Sequence, residues 1–261
     1  YRPECMKLTA LKGETVSFQA ACTCTSFMKN RVKVRIESPI SDRIHVRKVE
    51  NVPAGRVCGP IVDDNYLKTE SGLYPDLLRE LVDGEVDIFP QKWRSIWIDI
   101  EVTEDVKAGL YPVTVILEKD GETLARAATE VTIYDAVLPK QKMMHTEWFY
   151  LDCLADYYHV PVFSEEHWEI ITNYLKEYVK RGCNMILTPL FTPALDTAVG
   201  IERTTTQLLD VRVENGNYSF GFDRVKKWID LCQSCGIEYF EICHLFSQWG
   251  AKYAPKVMAV V

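Results

Sequence analysis

Apolar and polar residues alternate with a period of two through the first half of the chain, and that rhythm stops near residue 137. Thr15–Ala20, Arg31–Ile36, Ser95–Val102, Tyr111–Leu117 and Thr129–Tyr134 each put apolar side chains on one face and polar ones on the other, as half-buried strands do. Asp120-Gly121 falls between two of these runs and marks a tight hairpin. Short strands separated by turn residues predict an antiparallel β-sandwich over residues 1–137. Within it, the amphipathic pattern of Asp76–Leu81 predicts one or two helical turns.

A different pattern follows. Met143–Leu154 is apolar and aromatic yet carries His145, Glu147 and Asp152, and predicts a buried strand that opens a second domain over residues 138–261. Ser164 with Glu165 and Glu166 reads as a capped helix start. Trp168, Ile171, Leu175 and Tyr178 with Val179 follow at helical spacing, up to Arg181-Gly182. Asn184–Leu187 predicts a second buried strand. A second helix from Asp223 carries Val225, Trp228, Ile229 and Cys232 on one face and stops at Gly236, before a third strand over Glu238–His244. This alternation predicts a parallel sheet flanked by helices. Three strands and two helices fall short of the ~250 residues that a complete barrel takes. The expected fold class is therefore multidomain β plus α/β: an antiparallel β-sandwich, then about three βα units of a TIM-type barrel that is cut short. Strand edges left open in this way invite self-association. Thr188–Phe222 is longer than an ordinary βα connection. Its Asn215-Gly216 between Thr206–Glu214 and Tyr218–Phe222 predicts a hairpin on the face where barrel active sites are built.

Composition narrows the function. The 261 residues are 47% apolar and 26% charged, ordinary for a globular protein, with a net charge of −7. That balance and a pI of about 5.4 disfavour a nucleic-acid surface. No apolar run approaches the ~18 residues of a membrane span, so no membrane partner is expected. The chain starts at Tyr1 rather than Met, so its native N-terminus is expected to be missing or processed. The nine cysteines are odd in number and scattered through apolar patterns, which suits a reducing compartment and points to the cytoplasm. Cys232-Gln233-Ser234-Cys235 lies at a helix C-terminus, whereas redox pairs gain reactivity at N-termini, so no metal or redox role is expected. With no Gly-rich phosphate loop or serine elbow, no cofactor is expected either.

Four stretches carry a resemblance. They are Trp148–Leu154, Thr188–Thr197, Glu202–Leu208 and His244–Ala251, joined in the first domain by Tyr74–Leu78 and Ala108–Tyr111. Together they resemble a bacterial glycoside-hydrolase-like family with an N-terminal β-sandwich, a TIM-type barrel and a C-terminal domain of unknown function. The resemblance implies carbohydrate as the partner. At the position of Tyr150 such relatives carry His more often. Their Asp-Glu-Pro-like acidic motif on a later strand does not occur in this chain.

Glycosidic hydrolysis needs two carboxyl groups, ~5–5.5 Å apart for retention or ~6.5–9.5 Å for inversion. Glu147 and Asp152 are an odd number of residues apart, so on a strand they face opposite sides and make a poor pair. Glu241 lies lower on the third strand. The catalytic acids are thus unknown and expected beyond residue 261. Substrate contacts are expected from Tyr150, Asp152, Thr188, Phe191, His244, Gln248 and Trp249, with the rings stacking on a sugar and Asp152, His244 and Gln248 bonding its hydroxyls. Glu147 is expected to pair with Arg203, and Arg203 and Gln207 to brace the insertion. The expected function is that of a glycoside hydrolase fragment, inactive by itself. The alternative is a non-catalytic glycan-binding or scaffolding protein with a degenerate barrel.

Overall fold

The computed structural model describes residues 6–25, 31–55, 66, 68–193, 201–246 and 250–261. The chain divides into two compact units, Tyr1–Pro139 and Lys140–Val261.

Among the described residues the first unit holds nine strands: β1 (Met6–Lys12), β2 (Glu14–Cys22), β3 (Arg31–Glu37), β4 (Ile44–Ala54), β5 (Gly72–Glu80), β6 (Glu85–Asp87), β7 (Arg94–Val102), β8 (Gly109–Lys119) and β9 (Glu122–Val137). They form a five-stranded sheet in the order β1-β9-β8-β3-β6 and a four-stranded sheet in the order β2-β7-β4-β5. Alternation decides which side chains go inside. Ile96, Ile98 and Ile100 of β7 share one core with Val113, Val115 and Leu117 of β8 and with Val131 and Ile133 of β9. At the β8–β9 hairpin, Asp120 and Gly121 take φ of 50° and 83°, as a two-residue turn with both centres left-handed requires. On the far side of β7, Asp99 accepts from Ser17 Oγ at 2.6 Å and Trp97 Nε1 at 2.7 Å and pairs with Arg47. Burial works against its charge, but these donors outweigh burial and hold the carboxyl below its usual range.

Two expectations for this unit are corrected. Asp76–Leu81 is no helical turn, because residues through Glu80 belong to β5, laddered antiparallel to β4 with a bulge at Glu50/Asn51. The half-buried Tyr74 and Leu78 stand four residues apart, a spacing that imitates a helix although the bonds go to a neighbouring strand. The unit is also not wholly antiparallel, since Met6–Ala10 runs parallel to Thr129–Ile133.

The second unit contains α1 (Leu151–Tyr158), α2 (Glu165–Lys180), β10 (Met185–Thr188), β11 (Asp210–Glu214), β12 (Asn217–Gly221), α3 (Asp223–Cys235) and β13 (Tyr239–Ile242). β10 and β13 pair in parallel, and β11 and β12 form an antiparallel hairpin turning at Asn215-Gly216. α2 begins where Ser164 Oγ accepts from His167 N, and α3 ends at left-handed Gly236. Trp168, Ile171 and Leu175 of α2 meet Val225, Trp228 and Cys232 of α3 and Ile186 of β10 in one core.

The strand expected over Met143–Leu154 does not form. Residues 143–150 have no regular structure, and Leu151 onward is α1. The segment lies beside the start of β10 without a ladder: Asn184 N and Met185 N both donate to His145 O at 3.1 Å, and side chains supply the other bonds. His145 N donates to Asn184 Oδ1 at 2.8 Å, Asn184 Nδ2 to Met143 O at 3.1 Å, and Glu147 N to the Tyr178 hydroxyl at 2.8 Å. Side-chain partners satisfy the backbone without requiring the repeating register of a strand. Among the described residues the second unit thus has two parallel strands and three helices. No helix among them is long and apolar enough to cross a membrane.

His167 ties α1 to the turn before α2. Its Nδ1 accepts from Phe163 N at 2.9 Å and its Nε2 faces Leu151 O at 3.0 Å, which defines a neutral ring protonated on Nε2. Phe163 has φ of 60°, a left-handed conformation costly for an aromatic residue, and that bond helps to hold it. Burial depresses the His167 pKa below the ordinary imidazole value, against the pull of the Leu151 carbonyl. The unfolded chain then binds the proton more readily than the folded one. The neutral ring's contribution should be complete above pH ~6.5 and lost as pH falls through the depressed folded-state value. Thermal melts at pH 7.5 and 5.5 should show a larger acid-induced fall for the natural chain than for His167→Gln. Equal falls would exclude this residue as the cause.

Candidate functional site

The helix that replaces the expected strand sets the geometry of the site. Tyr150 is the N-cap of α1, with φ −102° and ψ 118°. Asp152, in the first turn, is 4% exposed. Arg203 grips it through Nε–Oδ2 at 2.7 Å and Nη2–Oδ1 at 3.0 Å, while its guanidinium lies 4.1 Å from the Tyr150 ring centre. One turn along α1, Asp156 accepts from the Thr204 hydroxyl at 2.9 Å. Two acids on one helix face thus hold two consecutive residues of the insertion. Burial opposes the Arg203 charge, but the bonds and charge of Asp152 outweigh it and raise the pKa further. The expected Glu147–Arg203 pair is therefore replaced by Asp152–Arg203. Glu147 projects to solvent, with His145 Nε2 3.2 Å from its Oε1.

A second cluster forms where residue 148 meets β13. Trp148 Nε1 donates to Glu241 Oε2 at 3.1 Å, and the Trp148 ring stands edge-on to His244 at 5.5 Å and 70°. His244 is exposed and Glu241 half-buried. Indole, imidazole and carboxylate side by side offer one stacking surface and several hydrogen-bonding groups, the mixture that polar sugar sites use. Trp148 was not among the expected contacts. Its signal in the sequence was an aromatic residue two positions before Tyr150 in the same run.

The other expected contacts are distributed as follows. Thr188, the last residue of β10, is 1% exposed, and its Oγ1 accepts from Trp228 Nε1 at 3.3 Å, so the side chain faces α3. Phe191 is half-buried against the helical core, with its N–H on Cys243 Sγ at 3.4 Å. Gln248 and Trp249 lie outside the described residues. Gln207 joins the two connections that follow β10 and β13. Its Nε2 donates to Met258 O at 2.8 Å and its Oε1 accepts from Met258 N at 2.8 Å. Val213 N–Val260 O at 2.8 Å and Val260 N–Val211 O at 2.9 Å continue this as a short parallel addition to β11. In the Cys-x-x-Cys, burial pushes the Cys232 thiol pKa up, which is unfavourable to an attacking thiolate.

The comparisons with known proteins place both units in one family. Residues 2–119 match the family model of the glycoside hydrolase 123 N-terminal domain, and residues 148–260 that of the glycoside hydrolase 123 catalytic domain. The chain belongs to glycoside hydrolase family 123. Among solved structures it is similar to a family 123 glycoside hydrolase from Clostridium perfringens, described for glycolipid glycan hydrolysis. The TM-score is 0.68 at 17% identity, over 97% of this chain and 47% of that one. The chain therefore spans about half the length of that relative. A GH5 xyloglucanase from Bacteroides ovatus matches at 7% identity over 90% of this chain and 43% of that one, with a TM-score of 0.22 that carries no argument. No curated protein matches the chain.

Proposed function

We propose that the whole protein hydrolyses glycosidic bonds by acid–base chemistry between two carboxylates. In this reading the chain supplies the β-sandwich and the first βα units of a TIM-type barrel, over residues 1–137 and 138–261. The observation that carries the reading is the pair of family 123 matches, one to each half of the chain. The open side of the parallel pair is consistent with it. Among the described residues β13 has a strand on one side only, and Ile242 is 51% exposed there. Further strands would cover that edge, and without them copies of the chain would associate through it. Barrel acids sit at the carboxyl ends of strands, and in this reading they would come from later strands of the whole protein, since the chain spans 47% of that relative.

The chain then forms one wall of the glycan cleft. Trp148 and His244 would meet sugar from the end of β13, with Gln248 and Trp249 following in sequence, and Tyr150 and Phe191 would border them. Asp152 positions Tyr150 and Arg203, and Thr188 holds the strand end against α3.

Aryl glycosides with different sugars test the reading. The whole protein should release aryl alcohol from at least one of them, while residues 1–261 alone release none. If no sugar turns over while a glycan still binds, the protein is a binding module and the hydrolase reading fails.

A further inference from the structure

The insertion that leaves the carboxyl end of β10 forms one side of a cavity of about 440 Å³. Val162 and Phe163 from the turn before α2 form another side, and Met258–Val260 close it. Its charged lining is Asp210, Arg212 and Arg224. Arg224 spends Nη2 on Asp210, its guanidinium lies 5.4 Å from the Phe163 ring centre, and its Nε is buried with no hydrogen-bond partner. Arg212 follows Asp210 by two positions on β11, hence on the same face. It is exposed and, among the described residues, forms no ion pair. Two cations thus stand against one carboxylate, beside an apolar wall of Val162 and Phe163. The volume is that of a small-ligand site.

We propose that this cavity binds an acidic sugar residue, with Arg212 and Arg224 taking its carboxylate or sulfate and the apolar wall packing on its ring. Arginine favours such oxygens because its planar fork offers parallel donors, and partial enclosure strengthens the attraction. The inference rests on the glycan reading above and adds to it a class of glycan, one carrying negative charge. The backbone bridge from Val260 to β11 holds the cavity together, so its shape follows from the fold of the second unit.

Isothermal titration of the full chain at low ionic strength, with glucuronic acid, glucose 6-sulfate, glucose and inorganic sulfate, is the test. Both acidic sugars should bind, and glucose should bind at least about tenfold more weakly, the 1.4 kcal/mol step that one charge-assisted bond supplies. Arg212→Ala should weaken both acidic sugars by about tenfold or more with the melting temperature unchanged, and Arg212→Lys should fall between that variant and the natural chain, because an ammonium keeps the charge and loses the parallel donors. Glucose binding as tightly as glucuronic acid, no effect of Arg212→Ala, or no binding of either acidic sugar would each overturn the proposal. Inorganic sulfate binding as tightly as glucose 6-sulfate also overturns it, because the site would then read the anion alone. Turnover of neutral glycosides without acidic-sugar binding removes this inference and leaves the hydrolase reading standing. Acidic-sugar binding with no glycoside turned over does the reverse.

Discussion

Arg203→Met is expected to destabilise the second unit by about 3–5 kcal/mol, the cost of leaving one partner of a buried ion pair uncompensated. The side chains of Asp152 and Arg203 are 5% and 14% exposed, and both carboxylate oxygens are engaged by the one guanidinium. With Arg203 gone, Asp152 keeps its burial and loses both charged donors, and the Tyr150 ring loses the cation above it. The neighbouring Asp156–Thr204 bond is exposed and cannot compensate. Urea unfolding followed by the emission of Trp168 and Trp228 measures the loss. The double variant Asp152→Leu with Arg203→Met should recover most of it, because an apolar pair of similar volume avoids the desolvation that the ion pair carries. The double variant also separates stability from binding. If it folds well and glycan affinity is unchanged, Asp152 serves only to hold α1 to the insertion. If it folds well and affinity disappears, the Asp152–Arg203 pair serves the ligand site as well as the fold. A loss below about 1 kcal/mol in Arg203→Met, the range of exposed pairs, would show that the pair does not hold the insertion.

The two units differ in how far the sequence foretold them. In the first, Ile96, Ile98 and Ile100 alternate with Trp97 and Asp99, and the three isoleucines are buried as that alternation requires, with Asp99 the one polar position that is buried too. Asp120-Gly121 names its own turn, since its backbone is strained for most other residues. β5 escaped because its pairing with β4 is a tertiary fact that its local pattern contradicts. In the second unit α2 was legible from its cap and spacing, and α3 from its spacing and the glycine at its end. Met143–Leu154 was not. An aromatic apolar run reads equally as buried strand or as irregular chain covered by side chains, and Asn184 and Tyr178 decide the matter from 39 and 31 residues away. Leu151, Leu154 and Ala155 carried the helical spacing of α1, hidden at the end of that run. The site was less legible for the same reason. Whether Arg203 meets Glu147 or Asp152 depends on how the insertion docks, which no local pattern encodes. His244 lies two residues beyond the end of β13 rather than in the strand, and its neighbour Trp148 arrives from a segment almost 100 residues earlier in the chain.

Thr188 is the sharpest such case, and Trp228→Ala exposes it. The indole of Trp228 is 0% exposed, on the α3 face that also carries Val225 and Cys232. Removing a ring of that size from a core this closed should cost about 3–5 kcal/mol, transfer and cavity terms together. It also frees the Thr188 hydroxyl that Trp228 Nε1 now reaches at 3.3 Å. Register explains why Thr188 points there: Ile186 and Thr188 share a face of β10, and Ile186 belongs to the core under α2 and α3. A polar residue at the carboxyl end of a parallel strand reads as a cleft residue, yet this one bonds a core indole. Thr188→Val tests the assignment more narrowly than the ring deletion does. It keeps the shape, leaves the indole N–H unpaired, and should cost about 1–3 kcal/mol in urea unfolding. Glycan affinity of the folded variant should match that of the natural chain. A Thr188→Val protein of full stability that no longer binds glycan would place this hydroxyl in the cleft and refute its role as the acceptor for Trp228.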